Sequence, residues 1–180
     1  MVLSMSKQSD IDERAAKIKL LVLDVDGVLT DGKLYFDDDG KESKTFHTLD
    51  GQGIKMLRNS GVEVGIITGR TTNLVAARAR ALGIHLLIQG REDKLAALQE
   101  MRADCPCQLE EIAFMGDDYP DLTPMLAVGV ALTVPNAHPE VIRRCHWQSQ
   151  RPGGEGAVRE ACDMIMRAQG SYDVALAQYT

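Results

Sequence analysis

Five short apolar runs, separated by longer amphipathic segments, constrain the fold of this chain more than any other feature of its sequence. The runs cover residues 18–23, 62–67, 84–88, 112–115 and 129–134. Each is too short for a buried helix and most are bounded by Asp, Gly or Thr, so we predict buried strands. Strands that alternate with helices form βαβ units. The predicted fold class is therefore α/β, a doubly wound and mostly parallel sheet with helices on both faces.

Amphipathic segments between or after these runs predict four helices. The first is expected to begin at Asp50, as its N-cap, and to end at Gly61. The second covers residues 71–82, with an apolar stripe that starts at Leu74 and a stop at Gly83. Two further helices are predicted over residues 91–103 and 156–168.

One segment departs from the alternation, between the first strand and the first helix. Residues 33–36 and 43–46 flank a turn sequence, residues 37–41, in which Gly40 is available for a positive φ. We predict a β-hairpin that protrudes from the edge of the sheet where open α/β folds bind ligands. We expect no cap domain to be inserted beside this hairpin.

Length and composition fit one globular domain. With 180 residues, no internal repeat and no Pro/Gly/Ser-rich linker, we predict a polar N-terminal extension over residues 1–16 and a single domain over residues 17–180. The chain lacks an apolar run of about 20 residues, so it is not expected to span a membrane. A net charge of −6 argues against a nucleic-acid partner but allows small anionic ligands. Four cysteines without zinc-type spacing, and no secretory signal, favour a reduced cytoplasm.

The first apolar run ends in two aspartates. Asp24 and Asp26 are two residues apart, so they lie on one side of an extended chain. Two like charges so close repel each other, and their joint ionisation requires a cation. A set of carboxylate oxygens favours Mg²⁺ over Zn²⁺. The alternative is a strand that ends in an ordinary turn, where Asp and Gly are common.

Three later strand ends carry further polar groups. Thr68 follows the second strand and offers a hydroxyl and nearby backbone N–H groups to a phosphoryl oxygen. Lys94, early in the third helix, can supply positive charge to the same group. After the fourth strand come Asp117, Asp118 and Asp121. So many carboxylates at one sheet edge cost stability unless they share a metal ion.

The order of these groups resembles that of the haloacid dehalogenase-like (HAD) phosphohydrolase superfamily. More narrowly, residues 17–170 are similar to the 3-deoxy-D-manno-octulosonate 8-phosphate (KDO 8-phosphate) phosphatase family. The segments that carry the similarity are 24–32 (DVDGVLTDG), 46–47 (FH), 50–54 (DGQGI), 67–70 (ITGR), 94–95 (KL), 116–118 (GDD) and 153–160 (GGEGAVRE).

This resemblance implies a phosphomonoesterase that hydrolyses KDO 8-phosphate to KDO and inorganic phosphate in lipopolysaccharide precursor biosynthesis. It implies that Asp24 is the nucleophile and forms an aspartyl-phosphate, and that Asp26 is first a general acid and then a base. Mg²⁺ would be held by the Asp24 carboxylate, the Asp26 backbone carbonyl and Asp117. Thr68 and Lys94 would hold the phosphoryl oxygens. The implied substrate contacts are Asp26, His47, Thr48, Leu49, Asp50, Gly51, Lys55, Arg70, Arg78 and Lys94.

The resemblance also implies a homotetramer in which the hairpin of one subunit covers a neighbour's site. Lys55 and Arg78 have an ordinary alternative as solvated helix faces. Leu49 stands where relatives usually have a basic residue, so one positive contact to the substrate would be missing. The Gly-rich segment 151–160 either reaches a neighbouring active site or is a loop that enters the last helix.

Two other functions remain open at the level of the sequence. The first is a phosphatase for a related sugar-acid phosphate such as KDN 9-phosphate. The second is a non-catalytic, receiver-type module that senses phosphate, because receivers also present an aspartate cluster, a Thr and a Lys on a doubly wound sheet. A receiver has no need of a leaving-group acid such as Asp26 or of the hairpin that follows it.

Overall fold

The computed structural model describes residues 2–180. Its strands are β1 (Leu20–Leu23), β2 (Tyr35–Phe36), β3 (Glu42–Ser43), β4 (Glu63–Thr68), β5 (Leu86–Gln89), β6 (Ile112–Met115), β7 (Val130–Thr133) and β8 (Trp147–Gln148). Its α-helices are α1 (Val2–Ala15), α2 (Thr48–Asn59), α3 (Asn73–Ala81), α4 (Lys94–Asp104), α5 (Leu122–Ala127), α6 (Pro139–Ile142), α7 (Ala157–Ala168) and α8 (Tyr172–Leu176). Short 3-10 helices cover Leu109–Glu111 and Tyr119–Asp121.

Six of the strands form one sheet in the order β5-β4-β1-β6-β7-β8. Every neighbouring pair in this sheet is parallel. The chain runs outward from β1 in one direction and then returns to build β6, β7 and β8 on the other side. Parallel neighbours need crossover connections, and helices within these connections flank the sheet. The predicted α/β class with a doubly wound, parallel sheet is confirmed.

The core lies at the centre of this sheet. All residues of β1, β6 and β7 are buried, as the continuous apolar runs predict for strands covered on both faces. Helix α7 packs against α2 and α1, and its buried face includes Val158, Cys162 and Ile165. This packing matters for the site, because α2 follows the hairpin and α7 follows the Gly-rich segment.

The predicted hairpin is present, although its strands are shorter than the sequence indicates. β2 and β3 form a separate antiparallel pair, with Tyr35 opposite Ser43 and Phe36 opposite Glu42. The side chain of Asp37 closes the turn by accepting hydrogen bonds from the backbone N–H groups of Asp39 and Lys41. The turn therefore depends on an Asp side chain as well as on Gly40.

Three details of the helix predictions are wrong, the first being that α4 begins at Lys94 and not at residue 91. Helix α2 begins at Thr48 and not at Asp50, because the His47 side chain accepts the backbone N–H of Leu49 and acts as the N-cap. In α3 the apolar face is shifted by one position from the predicted stripe: Leu74 is 38% exposed, whereas Val75 and Ala79 are buried. A helix with so many alanines gives a weak periodic signal, so its register could not be read from the sequence.

The sequence patterns did not predict the first helix or the short elements α5, α6, α8 and β8. Helix α1 lies within the predicted polar extension, and its Ile11 and Ala15 side chains are buried. The boundary between an extension and a domain at residue 17 stays a prediction. Among residues 2–180, no helix combines the length and the apolar character needed to cross a bilayer.

Candidate active site

The candidate site lies at the carboxyl ends of the three central strands. Asp24 directly follows β1, Thr68 is the last residue of β4, and Asp117 lies two residues after β6. β1 pairs with β4 on one side and with β6 on the other. The strand order reverses at this point of the sheet, and such switch points leave a crevice in which α/β folds bind ligands.

Lys94 holds two of the aspartates together. Its Nζ atom lies 2.8 Å from Oδ1 of Asp24 and 2.6 Å from Oδ1 of Asp121. All three side chains are buried. Lys94 can occupy this position because it is the first residue of α4, directly after the N-cap Asp93. A buried ammonium group is stable here because two carboxylates pair with it.

Asp121 organises the loop after β6. Its Oδ2 atom accepts hydrogen bonds from the backbone N–H groups of Asp117, at 3.0 Å, and Asp118, at 3.2 Å. Both oxygens of Asp121 are therefore already engaged, one by Lys94 and one by the loop. This leaves Asp24 and Asp117 as the carboxylates available to an additional cation.

The geometry and charge of this cluster fit a divalent cation. Ligand atoms of Asp24, Asp117 and Asp121 all lie within 4.8 Å of one another. Oδ1 of Asp117 is buried and has no hydrogen-bond partner among the residues that the structure describes. Three carboxylates and the single ammonium group of Lys94 leave two negative charges when all are ionised, and carboxylate oxygens are the ligands that Mg²⁺ prefers.

Burial and mutual repulsion shift the acidity of these groups. Burial raises the pKa of Asp24 to about 7, repulsion from Asp121 adds to the rise, and Lys94 opposes it. Burial, together with repulsion from Asp24 and Asp121, raises the pKa of Asp117 to about 8. Burial alone would lower the pKa of Lys94, but attraction to Asp24 and Asp121 raises it above its ordinary value. Without a cation, Asp24 and Asp117 therefore retain protons near neutral pH.

Glycines bring the loop after β1 against its neighbours. A Cβ atom on Gly27 would lie 2.0 Å from Oδ2 of Asp117, and Gly27 also has a φ of +95°. On its other side the loop touches the Gly-rich segment, where a Cβ on Gly153 would lie 1.7 Å from the carbonyl oxygen of Gly27. The backbone N–H of Gly154 donates to the carbonyl of Val28 at 3.0 Å. The loop that carries Asp26 is thus fixed from two directions.

Asp26 faces a chain of charged side chains from the hairpin. Its Oδ1 atom accepts a hydrogen bond from Nζ of Lys44, which also lies 3.1 Å from Oε1 of Glu42. Oε2 of Glu42 in turn accepts a hydrogen bond from Nη2 of Arg70 at 2.7 Å. Thr68 is buried, and its Oγ1 accepts the backbone N–H of Arg70 at 3.3 Å. Asp26, Arg70 and Thr68 are therefore linked through contacts that run along the base of the hairpin.

A second group of the predicted substrate contacts meets at the start of α2. Nη2 of Arg78 donates to the carbonyl of His47 at 3.1 Å, and its guanidinium lies over the ring of Phe46, 5.7 Å from the centroid. A Cβ on Gly51 would lie 2.5 Å from Nη2 of Arg78, so only glycine leaves room for this side chain. The structure therefore brings His47, Gly51 and Arg78 together.

The other residues predicted to contact the substrate do not lie together: three are exposed on α2 and one is buried against α7. Thr48, Leu49 and Lys55 are exposed on α2. Asp50 is 1% exposed and points to α7, where its Oδ1 accepts the backbone N–H of Arg159 at 2.9 Å. Burial raises the pKa of Asp50. Asp50 therefore connects α2 with the start of α7.

The sequence reasoning missed two charged residues beside the site, Glu42 and Lys44. Both lie on the second arm of the hairpin and are two residues apart, so they share one side of an extended chain. The signal that could have identified them is a pair of opposite charges at that spacing. The pair lies on a segment that leaves the sheet at the edge that carries Asp24.

No family model matches the sequence, but individual relatives do. The chain is 45% identical over 166 residues to the 3-deoxy-D-manno-octulosonate 8-phosphate phosphatase of Yersinia pestis, across 92% of this chain and 89% of that protein. It belongs to the KDO 8-phosphate phosphatase family. The chain is accordingly a phosphoric monoester hydrolase of the HAD superfamily.

Solved structures agree with this family. A structure from Legionella pneumophila that carries the name of a HAD-superfamily (subfamily III A) hydrolase matches with a TM-score of 0.96, 40% identity and coverage of 99% of this chain and 98% of that one. The KDO 8-phosphate phosphatase of Moraxella catarrhalis, in complex with a magnesium ion, a phosphate ion and a KDO molecule, matches with a TM-score of 0.93 and 38% identity. That match covers 96% of this chain and 99% of that one.

Proposed function

We propose that this protein is a magnesium-dependent phosphomonoesterase that hydrolyses KDO 8-phosphate to KDO and inorganic phosphate. The observation that carries the proposal is the buried ion pair between Asp24 and Lys94, with Asp117 beside it, at the switch point of the sheet. Family membership adds the substrate, since a relative of 45% identity carries that activity in its name. The reaction supplies KDO for lipopolysaccharide precursor biosynthesis, and the free thiols of the chain suit a cytoplasmic location.

In the first step, an Asp24 carboxylate oxygen attacks the phosphorus atom, and the bond between phosphorus and the C8 oxygen breaks. Asp26 donates its proton to the departing sugar oxygen. In the second step, Asp26 takes a proton from water, which attacks the phosphorus of the aspartyl-phosphate. Inorganic phosphate then leaves, the Asp24 carboxylate is regenerated, and Asp26 is protonated for the next cycle.

The remaining groups neutralise and orient the phosphoryl group. Lys94 and the Thr68 hydroxyl bind its non-bridging oxygens, because phosphoryl transfer depends mainly on positioning and on charge stabilisation. A magnesium ion, when bound, offsets the negative charge that the phosphoryl group and the carboxylates bring together. The carboxylates of Asp24 and Asp117 and the backbone carbonyl of Asp26 would hold it.

The sugar acid would be bound at the mouth of the site. Arg70 and Arg78 present guanidinium groups that suit a carboxylate or hydroxyl groups. The other proposed contacts at the start of α2 are His47, Thr48, Leu49, Asp50, Gly51 and Lys55. A nine-carbon relative such as KDN 9-phosphate would use the same chemistry, so the choice between the two substrates is decided by assay.

We also propose a homotetramer. The hairpin exposes Leu34, Tyr35 and Phe36, and an apolar strand pair of this kind favours contact with another subunit. Light scattering is expected to give a mass close to four chains of 19.7 kDa; a monomer would contradict this part of the proposal.

The test of the function measures phosphate release from a panel of sugar phosphates, with and without a chelator. We expect KDO 8-phosphate to be hydrolysed with the highest kcat/KM, and the chelator to abolish the reaction. Equal turnover of all sugar phosphates would contradict the narrow substrate.

An Asp24→Asn variant tests the catalytic route. It is expected to lose turnover, since the amide cannot form the acyl phosphate; an unchanged rate would exclude the proposed route. A chain that becomes phosphorylated but never releases phosphate would be the receiver-type module.

A further inference from the structure

The hairpin places a buried lysine beside the residue proposed as acid and base. The Lys44 side chain is 2% exposed, whereas the Lys33 and Lys41 side chains of the same hairpin are 74% and 75% exposed. Burying an ammonium group costs several kcal/mol unless oppositely charged groups pair with it. Asp26 and Glu42 are the carboxylates that pair with Lys44. The contact with Asp26 is therefore a built feature of the fold.

We propose that Lys44 is a positioning residue that holds the Asp26 carboxylate in the orientation required for proton transfer, an inference that rests on the proposed function. Lys44 binds one carboxylate oxygen of Asp26 and leaves the other free to exchange a proton with the leaving group or with water. Asp26 has a side chain that is 26% exposed. Without a partner it would be free to turn into solvent, and misplacement by about 1 Å costs on the order of 100-fold in rate.

Charge balance explains why a positively charged side chain is needed at position 44. The Lys44 ammonium group pairs with Glu42 as well as with Asp26, and Glu42 is itself held by Arg70. If Lys44 were removed, the carboxylates of Asp26 and Glu42 would face each other without the intervening positive charge. Repulsion would then drive Asp26 away from its position, because Glu42 stays fixed by Arg70.

The same contacts join the hairpin to the catalytic edge of the sheet. A two-stranded hairpin is marginally stable by itself in water. The ion pair between Lys44 and Asp26 attaches the second arm of the hairpin to the loop after β1, while the ion pair between Glu42 and Arg70 attaches it to the loop after β4. Lys44 therefore links the position of the hairpin to the orientation of Asp26.

A double-mutant cycle tests whether Lys44 acts through Asp26. We expect Lys44→Met to lower kcat for KDO 8-phosphate by about 10- to 100-fold, part of the 10²- to 10⁴-fold that acid–base catalysis typically contributes. KM should change by less than about threefold, because a residue that acts through Asp26 contributes little to substrate binding. In an Asp26→Asn background, Lys44→Met should cost less than about twofold more, since there is no acid left to orient. Losses that multiply would overturn the proposal.

Three controls separate positioning from folding. Lys44→Arg keeps the positive charge and the N–H donors, so it should recover kcat to within about tenfold of the parent protein. Lys41→Met removes a hairpin lysine that is exposed, and it should leave kcat and the melting temperature unchanged. A Lys44→Met protein with a cooperative thermal transition but a low kcat supports the proposal, and equal loss in Lys44→Arg and Lys44→Met would contradict it.

A crystal structure of the Lys44→Met variant gives a readout that needs no substrate. We expect the Asp26 carboxylate to be rotated away from its position in the parent protein while Asp24 and Lys94 keep theirs. An unmoved Asp26 would overturn the positioning role, whatever the kinetics. If the parent protein released no phosphate from KDO 8-phosphate, the proposed function would fail, and this structural comparison would still decide the role of Lys44.

Discussion

At the scale of single residues, Gly27 packs so closely against Asp117 that the site has no room for a side chain at this position. We expect Gly27→Ala to disrupt the cation site, because the new methyl group would lie 2.0 Å from Oδ2 of Asp117 and the φ of +95° is unfavourable for alanine. kcat should fall by on the order of 100-fold, as for other small displacements of catalytic groups. The Mg²⁺ concentration for half-maximal activity should rise at least about tenfold, measured by titration of phosphate release.

Gly40→Ala is the matched control for this substitution. Gly40 also has a positive φ, +77°, but nothing lies within 4 Å of a Cβ built on it. The control should lose about 1–2 kcal/mol of stability at most and keep its Mg²⁺ dependence. If Gly27→Ala and Gly40→Ala had the same Mg²⁺ dependence, the close contact with Asp117 would have no role in the cation site.

The residues of the cluster differ in how far the sequence could reveal them. Asp24 and Asp117 follow apolar runs, and the carboxyl ends of parallel strands meet at one edge, so their proximity could be predicted. Lys94 lies at the N-terminus of a helix, where its side chain has several possible directions. Lys44 could not be predicted to touch Asp26, because that contact depends on how the hairpin folds back onto the loop after β1. Periodicity within one segment carries no information about such a contact.

At the scale of elements, Asp50 connects α2 with the N-terminus of α7. We expect Asp50→Ala to lower the free energy of unfolding by about 1–3 kcal/mol, because the first turn of α7 loses the acceptor for the backbone N–H of Arg159. Urea unfolding measures this loss. Asp50→Asn keeps an oxygen acceptor and should lose less, while Asp38→Ala in the exposed turn should be neutral. A rise in KM with unchanged stability would instead assign Asp50 to substrate binding.

The Gly-rich segment before α7 packs directly against the loop after β1. We expect Gly153→Ala to lower the free energy of unfolding by about 3 kcal/mol, because its Cβ would lie 1.7 Å from the carbonyl oxygen of Gly27 and neither backbone can yield easily. kcat should fall as well, since that loop carries Asp26.

Gly170→Ala provides the comparison for Gly153. It has a φ of +69° but open space around it, so it should cost only about 1–2 kcal/mol of backbone strain and leave kcat unchanged. A Gly153→Ala protein as stable and active as Gly170→Ala would show that the Gly-rich segment moves freely away from the loop.

The elements also show which sequence signals are sufficient to predict a helix or a strand. β1, β6 and β7 were predicted because continuous apolar runs identify strands that are buried on both faces. The start of α2 was misplaced because two residues near it can cap a helix, and the choice between His47 and Asp50 depends on α7, which binds Asp50. The short helices α5 and α6 have too few residues to show a period.

At the scale of the whole molecule, the chain has a net charge of −6, and the fold concentrates part of this negative charge at one edge of the sheet. Asp24, Asp117 and Asp121 converge on one edge, and Lys94 compensates only part of their charge. The protein without a cation is therefore under electrostatic strain that grows as the carboxylates ionise. A bound divalent cation removes this strain, so cation binding and folding stability are linked.

This linkage sets the pH dependence of stability. The pKa of Asp117 is raised to about 8 and that of Asp24 to about 7, so between pH 4 and pH 8 these two groups bind more protons in the folded protein than in the unfolded chain, where their pKa is near 3.8. The free energy of unfolding measured in chelator should therefore fall as the pH rises through this range. Mg²⁺ replaces these protons, so the stabilisation by Mg²⁺ should grow from pH 6 to pH 8.5. Urea unfolding at fixed pH values, with chelator or with Mg²⁺, measures both quantities.

An Asp117→Asn variant identifies the group responsible. The amide does not ionise, so the stability of this variant in chelator should depend less on pH between 6 and 8.5, and Mg²⁺ should stabilise it less than it stabilises the parent protein. Background effects from the rest of the chain are common to both proteins and cancel in the difference. If the parent protein in chelator became more stable from pH 6 to pH 8.5, or if Asp117→Asn followed the same curve, the charge balance of the cluster would not control the stability of the fold.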